Sequence, residues 1–156
     1  MRIRTYAVGD LARLQEITVQ AFEGVSIDRN IEREFGRLGS SSWQERKAEQ
    51  ISQDVEANPN GVFVAEEAGQ IVGYLTTRID RGTRVGRIPN LAVDEQHRGK
   101  GIAKALFSRA FHYFKEEGML YSKIEALEQN EIAVAFYPRL GYEEVARQVH
   151  YFMKLG

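Results

Sequence analysis

The segment of this sequence best suited to binding an anion is RGKGIA, Arg98 to Ala103. It stands between a predicted strand and a strongly apolar predicted helix. The first turn of a helix leaves about four backbone N–H groups without intrahelical acceptors, and the helix dipole adds partial positive charge there. Glycines at 99 and 101 let a phosphate approach this backbone closely. The segment therefore predicts an anion site at a helix N-terminus.

The two glycines also have a plainer explanation, because a tight turn favours the same residues. On this segment alone, a phosphate site and a simple turn are equally good explanations. A P-loop is excluded, since no Gly-Lys-Ser/Thr group follows at the required spacing. A dinucleotide motif is excluded too, because Lys104 stands where GxGxxG needs a glycine.

The elements around this segment alternate between strand and helix patterns. Apolar spacing predicts helices after Asp10, after a capping box at Ser42, and from Ile102 onward. Residues 24–42 are polar and are expected to be irregular or short-helical. Period-two alternation predicts a hairpin, and a proline in the following strand predicts interrupted pairing. The remaining predicted strands are residues 2–7, Ile88–Val93, Ser122–Leu127 and one or two closing strands within residues 142–155.

Composition limits the class of protein. A chain of 156 residues with 43% hydrophobic residues suits one globular domain, residues 1–156. The net charge of −1 argues against a nucleic-acid or membrane partner. No cysteine is present, and the three histidines show no metal-ligand spacing, so we expect no metal. The first residues lack the apolar core of a signal peptide, which leads us to expect a cytoplasmic protein.

A second motif follows the predicted helix and strand. It reads N-x-x-A-x-x-F-Y-x-x-x-G-Y and is formed by Asn130, Ala133, Phe136, Tyr137, Gly141 and Tyr142. Together with RGKGIA, it resembles the paired motifs of the GNAT superfamily of acetyl-CoA-dependent N-acetyltransferases. The resemblance implies an α/β fold (α+β, mixed sheet). It also implies a mostly antiparallel sheet of six or seven strands, splayed at the acyl-CoA site, with about four helices.

The resemblance also implies how acetyl-CoA binds. In that family the backbone amides of the glycine loop hold the pyrophosphate, and the preceding strand pairs with pantetheine like an added strand. Asn130 is predicted to cap its helix and, by the resemblance, to contact the cofactor. The implied cofactor-binding residues are Leu91, Ala92, Val93, Arg98, Gly99, Lys100, Gly101, Ile102, Ala103 and Asn130.

Two residues match catalytic positions of the family. Tyr137 matches the general acid that protonates the departing thiolate, although on its own it reads as a half-buried tyrosine. The following Pro138 predicts that the helix tightens or ends there. Glu125 is the candidate general base. Two alternatives stay open: Glu125 is a solvated strand residue without a catalytic role, or a water chain in the cleft acts as the base instead.

The implied reaction moves an acetyl group from acetyl-CoA to a primary amine by direct transfer in a ternary complex. The acceptor is either a small molecule or a polypeptide, and residues 22–57 are expected to recognise it. Two alternatives are a non-catalytic acyl-CoA-binding sensor, which would not need Tyr137, and a nucleotide-phosphate-binding protein. The run His150-Tyr151-Phe152 indicates core packing, a sheet edge or a homodimer contact.

Overall fold

A computed structural model describes all 156 residues and contains seven strands and five α-helices. The strands are β1 (Arg2–Thr5), β2 (Phe63–Glu67), β3 (Gln70–Leu75), β4 (Arg78–Asp80), β5 (Val85–Ile88), β6 (Leu91–Val93) and β7 (Tyr121–Ile124). The helices are α1 (Leu11–Ala21), α2 (Ile27–Phe35), α3 (Trp43–Ala57), α4 (Ile102–Glu116) and α5 (Glu131–Arg139). The fifth helix is α2, which lies in the segment expected to be irregular or short-helical. None of the helices is both long and apolar enough to cross a membrane.

The strands form two sheets. One has the antiparallel order β1-β2-β3-β6, and the other has the order β4-β5-β7. In the second sheet β5 pairs antiparallel with β4 and parallel with β7. The parallel pairing predicted across α4 is found between β5 and β7, whereas β6, the strand directly before α4, lies in the other sheet.

The predicted strand Ile88–Val93 is divided at Pro89. Ile88 ends β5 in one sheet, and Leu91 begins β6 in the other. Because proline has no N–H to donate, the ladder is interrupted there, as predicted. The side chains of Ile88 and Leu91 both pack in the cluster around α4, whereas Asn90 bonds to α3. The alternation of side chains along the strand is therefore shifted by one residue between Ile88 and Leu91. β6 keeps one edge without a backbone partner.

Two hydrophobic clusters cover the first sheet, one on each face. One joins β2, β3 and α4 and includes the fully buried Phe63, Leu75, Leu106 and Phe107. The other joins α1, α3 and the opposite face, with Leu14, Ile17, Ile51 and Tyr74. Fully burying one such side chain stabilises a fold by about 1.5–3 kcal/mol. These clusters hold α4 and β6 together at the end where the glycine loop lies.

Helix starts were predicted with mixed success. The capping box of α3 is confirmed, since Ser42 Oγ accepts from Glu45 N at 3.2 Å and Ser42 N donates to Glu45 Oε2 at 2.8 Å. The cap expected from Asp10 is wrong, because Asp10 itself has helical φ and ψ. Its carboxylate instead accepts from Ala7 N at 2.8 Å and from Arg4 Nη1 at 2.7 Å. Asp10 thus ties the preceding turn to β1.

The end of the chain departs most from prediction. β7 stops at Ile124 rather than Leu127, and residues 142–155 form none of the predicted closing strands. Residues 143–156 make no backbone–backbone hydrogen bond at all. The alternating pattern is present, but no neighbouring backbone lies within bonding distance, so the pattern alone does not produce a strand.

Candidate active site

The glycine loop connects β6 to α4 in a few residues. A 3₁₀ turn over Glu95–His97 is followed by Gly99 at φ 76° and Gly101 at φ 79°, and α4 begins at Ile102. Both glycines occupy the left-handed region, which costs other residues roughly 1–2 kcal/mol. The loop conformation therefore requires glycine at these positions, as the turn explanation also expects.

The backbone amides of this loop point to an anion site. No N–H group from Gly99 to Lys104 donates to a protein acceptor, and Ala105 is the first to bond, to Gly101 O at 3.1 Å. The Arg98 N–H instead donates to Glu95 O at 3.4 Å. The free amides thus begin one residue later than predicted and extend one residue further, to Lys104. They lie where the dipole of α4 favours negative charge.

An acidic residue holds the base of the loop. Asp94 accepts from Gln96 N at 3.0 Å and from Arg13 Nη2 at 2.6 Å, which links the loop to α1. Partial desolvation acts to raise the pKa of Asp94, but the hydrogen bonds from Gln96, His97 and Arg13 outweigh it and lower the pKa. At the rim, Lys100 Nζ is 4.0 Å from a Glu67 oxygen. The basic side chains therefore surround the amides without replacing them.

The strand before the loop has one open edge. Leu91, Ala92 and Val93 pair with β3 on one side, and their other edge has no backbone partner. Gly73 allows this close packing, since a Cβ there would lie 3.1 Å from Ala92 O and 3.2 Å from Ile102 Cγ2. The open edge and the free amides are separated by residues 94–98 only, so one extended ligand can contact both.

Tyr137 lies in an aromatic group beside α4. Its ring centroid is 5.9 Å from Phe107 and 6.1 Å from Tyr142. Desolvation by burial, with a smaller contribution from Tyr142, raises the pKa of Tyr137 to about 12. Its phenol oxygen has no hydrogen-bond partner within the protein, in contrast to Tyr142, whose oxygen is 2.6 Å from Ser122 Oγ. A protonated phenol is thus left with its hydrogen free.

Both ends of α5 lie where the sequence predicts them. Asn130 Oδ1 accepts from Ala133 N at 3.2 Å, which confirms the predicted cap. At the other end Leu140 N bonds Tyr137 O at 3.0 Å and Gly141 N bonds Pro138 O at 3.1 Å. These short-range bonds tighten the last turn, and α5 ends at Arg139, as expected from the proline.

Glu125 is less well placed than the strand prediction suggested. β7 ends at Ile124, so Glu125 lies just beyond the sheet. Its side chain is 62% exposed, and its carboxylate is 3.6 Å from Lys123 Nζ. This ion pair is its only polar contact, and it does not involve the glycine loop.

A buried polar network at the division of β5 and β6 was not predicted. Asp54 on α3 accepts from Thr76 Oγ1 at 2.9 Å, Asn90 Nδ2 at 2.7 Å and Arg78 Nη2 at 2.9 Å. Lys47, also on α3, donates to Asn90 Oδ1 at 2.9 Å. Lys47 and Asp54 both lie on the apolar stripe of α3. Charged residues on an apolar stripe are the feature of the sequence that could have predicted this network. The network fixes Asn90 directly before the open edge of β6.

A cavity of about 460 Å³ lies elsewhere, near the C-terminal half of α4. Its charged lining consists of three arginines, Arg78, Arg81 and Arg87. It contains no residue of the glycine loop or of β6. The free backbone amides therefore belong to the exposed loop and not to this cavity.

Comparison with known proteins identifies this arrangement. The sequence model of the Acetyltransferase (GNAT) family matches residues 26–142, which include the glycine loop and the Asn130 motif. This chain belongs to the GNAT acetyltransferase family. The GNAT match covers α2 to Tyr142, so it includes every site residue predicted from the sequence.

Individual members of the family are similar to only part of this chain. The chain is 31% identical over 109 residues to a mycothiol acetyltransferase of Streptomyces griseus, covering 70% of this chain and 34% of that protein. It is 35% identical over 97 residues to an N-alpha-acetyltransferase, MAK3, of Arabidopsis thaliana, covering 61% and 51%. The chain thus spans about a third to a half of the length of these curated relatives.

A solved structure shares the GNAT fold. The PaiA N-acetyltransferase of Thermoplasma acidophilum, solved in complex with coenzyme A, superposes with a TM-score of 0.73 at 19% identity. The similarity covers 91% of this chain and 89% of that one. The mixed, divided sheet predicted by the family resemblance is therefore confirmed.

Proposed function

We propose that residues 1–156 form one GNAT-like acetyltransferase domain that moves an acetyl group from acetyl-CoA to a primary amine. The observation that carries this proposal is the run of free amides from Gly99 to Lys104, which follows the open edge of β6 after one short turn. A pyrophosphate suits the amides, and an extended amide-containing arm suits the edge. Coenzyme A contains both groups in this order.

Each predicted cofactor contact has a defined donor or acceptor. The pyrophosphate accepts hydrogen bonds from the amides at Gly99 to Lys104, with Arg98 and Lys100 adding charge at the rim. Pantetheine pairs with the open edge of Leu91–Val93 in the manner of an added strand. Asn130 uses its side-chain oxygen to cap α5, which leaves its Nδ2 group free to donate to the cofactor.

The proposed chemistry is a direct transfer. The neutral amine nitrogen attacks the thioester carbonyl carbon, a C–N bond forms, and the C–S bond then breaks. Tyr137 gives its phenol proton to the departing sulfur, and the nitrogen loses a proton to Glu125 or to a water chain. No protein thiol takes part, because the chain has no cysteine. The products are an amide and the free thiol of coenzyme A.

The acceptor amine belongs to a small molecule or to a polypeptide, as the names of the two relatives suggest. Several charges of residues 22–57 are already used inside the fold. Asp28 pairs with Arg46 at 3.4 Å, and Glu32 accepts from Trp43 N at 3.2 Å. These groups stabilise the packing of α2 on α3, so the acceptor is recognised by other groups of this region.

Two measurements test the proposal. In a thermal-shift assay we expect acetyl-CoA to raise Tm, whereas ATP and NAD do not, because only a ligand of the native state stabilises it. A panel of small amines and peptide N-termini, assayed for release of the coenzyme A thiol, then reports the acceptor class. Stabilisation by ATP but not by acetyl-CoA would overturn the cofactor assignment. Binding of acetyl-CoA without thiol release across the panel would favour the non-catalytic sensor.

Gly101→Ala tests the amide loop itself. Alanine disfavours φ 79°, so the loop shifts and the amides lose alignment. We expect the Kd for acetyl-CoA, measured by calorimetry, to rise about tenfold, the effect of losing one hydrogen bond to a charged group. Gly118→Ala is the matched control, since Gly118 also has positive φ, at 78°, but lies at the opposite end of α4. A similar loss of affinity in both variants would contradict the assignment.

A further inference from the structure

The second sheet carries a row of basic residues on one face. Arg78 of β4 lies directly opposite Arg87 of β5, and Arg87 lies opposite Lys123 of β7. Ile88, the next residue of β5, packs in the cluster around α4, so these three residues, the basic row, project to the other face of the sheet. Like charges directly opposite each other destabilise a sheet. The basic row therefore needs anions around it.

The protein supplies an anion to two of these three cations. Arg78 Nη2 donates to Asp54 Oδ1 at 2.9 Å, and Lys123 Nζ is 3.6 Å from Glu125 Oε1. Arg87, in the middle of the basic row, is exposed and pairs with no carboxylate of the protein. One positive charge of the row is thus left without a partner, and it belongs to Arg87.

Arg87 also lines the cavity of about 460 Å³, together with Arg78 and Arg81. No carboxylate lines this cavity. Arg78 Nε is buried and has no hydrogen-bond partner, so Arg78 retains a free donor beside its bond to Asp54. Guanidinium groups bind carboxylates and phosphates through charge-assisted hydrogen bonds. The cavity is therefore suited to an anionic group.

The proposed cofactor orientation places this cavity on the acceptor side of the reaction. With the pyrophosphate on the loop after β6 and pantetheine along Leu91–Val93, the thioester lies at the Leu91 end of that edge. Arg87 is four residues before Leu91, about 13 Å along an extended strand. Ala57, the last residue of the region expected to recognise the acceptor, lines the same cavity. An acceptor at the thioester thus extends towards Arg87.

We propose that the acceptor amine also carries a carboxylate or a phosphate, and that Arg87 binds this anionic group. Arg78 contributes its free Nε donor to the same group. The amine of the bound acceptor then lies towards Leu91 and the thioester. Arg87 selects the acceptor by its charge and takes no part in the transfer of the acetyl group. This inference rests on the proposed acetyltransferase function.

Matched acceptors test the charge preference. The peptides Ala-Ala-Glu-Ala, Ala-Ala-phosphoserine-Ala and Ala-Ala-Gln-Ala differ only at the third residue, which lies about 10 Å from the amine in an extended chain. An ω-amino acid and its amide give the same comparison for small molecules. In the thiol-release assay we expect KM to be about tenfold lower for the anionic acceptors, the effect of one charge-assisted hydrogen bond, with similar kcat. Equal KM values within every matched set would overturn the proposal.

Arg87→Gln tests the residue itself. It is expected to raise KM for the preferred anionic acceptor to that of its neutral counterpart, and to leave kcat and the Kd for acetyl-CoA unchanged. Arg87→Lys keeps the charge and should recover part of the preference. Arg2→Gln is the matched control, since Arg2 is also an exposed arginine on a strand but lies on β1, at the outer edge of the first sheet. A preserved charge preference in Arg87→Gln, or an equal loss in Arg2→Gln, would contradict the assignment.

Binding measured without turnover separates this inference from the proposed reaction. In calorimetry with coenzyme A present, we expect the glutamate or phosphoserine peptide to bind the wild type about tenfold more tightly than the glutamine peptide, and Arg87→Gln to abolish the difference. Absence of thiol release with this difference intact would contradict the transfer reaction alone. Equal affinities of the wild type for all three peptides would overturn the role of Arg87.

Discussion

Tyr137→Phe is expected to lower kcat by about 100-fold or more, the usual contribution of a general acid. The change removes only the phenol oxygen, which has no hydrogen-bond partner within the protein, so folding should be little affected. The leaving thiolate then departs without a proton. Acetyl-CoA binding, measured by calorimetry, should stay within about twofold of wild type, because the amide loop is unchanged. This expectation depends on the proposed acetyltransferase function.

Tyr142→Phe is the matched control for this experiment. Tyr142 lies in the same aromatic group but bonds to Ser122. Its loss should cost stability, about 1 kcal/mol for one hydrogen bond, and leave kcat close to wild type. If Tyr137→Phe retains full turnover, or if both variants lose it equally, Tyr137 is not the general acid.

The pH dependence gives an independent check. A general acid must be protonated to act, and burial raises the pKa of Tyr137 to about 12. Its protonated form therefore persists over the whole neutral and moderately alkaline range. We expect no fall in kcat from phenol ionisation between pH 7 and about pH 10, the pKa of an unperturbed tyrosine. A fall in kcat near pH 10 that disappears in Tyr137→Phe would contradict the buried environment.

Phe107→Ala is expected to reduce the free energy of unfolding by about 3–5 kcal/mol, the usual cost of truncating a buried aromatic side chain. Phe107 is completely buried. It contacts the rings of Phe111, Phe136, Tyr137 and Tyr142. Removing it leaves a cavity between α4 and α5 and deprives Tyr137 of its support. Urea denaturation followed by circular dichroism measures the loss.

Phe111→Ala is the control for this cavity. Phe111 lies one turn further along α4 and is only partly buried. Its truncation should cost less, because solvent already reaches the site and the neighbours can relax. A loss below about 1 kcal/mol for Phe107→Ala, the typical effect of an average substitution, would show that the cluster is not the main support of α5.

Features that depend on nearby residues were well predicted. The capping box at Ser42, the cap at Asn130 and the tightened turn at Pro138 each involve bonds between residues a few positions apart. The break at Pro89 was predicted for the same reason, since the missing N–H belongs to the residue itself. The free amides at α4 were predicted to within one residue at each end, because a helix start always leaves such groups.

Features that depend on contacts between residues far apart in the sequence were not predicted. The network of Asp54, Asn90 and Thr76 joins α3 to two strands, and no spacing along the chain indicates that these residues meet. Glu125 was assigned to a strand that ends one residue earlier, because strand length is set by the neighbour and not by the alternating pattern.

The sequence by itself determined the local features: a helix start with free backbone amides, a capped helix carrying Tyr137, and an alternating segment at residues 143–155. Only the tertiary structure decided which edges remain open. β6 and β7 each keep one unpaired edge, and the alternating segment leaves its own sheet. The physical reason is that a strand's hydrogen bonds are completed by a second backbone, whose position depends on how the whole chain packs.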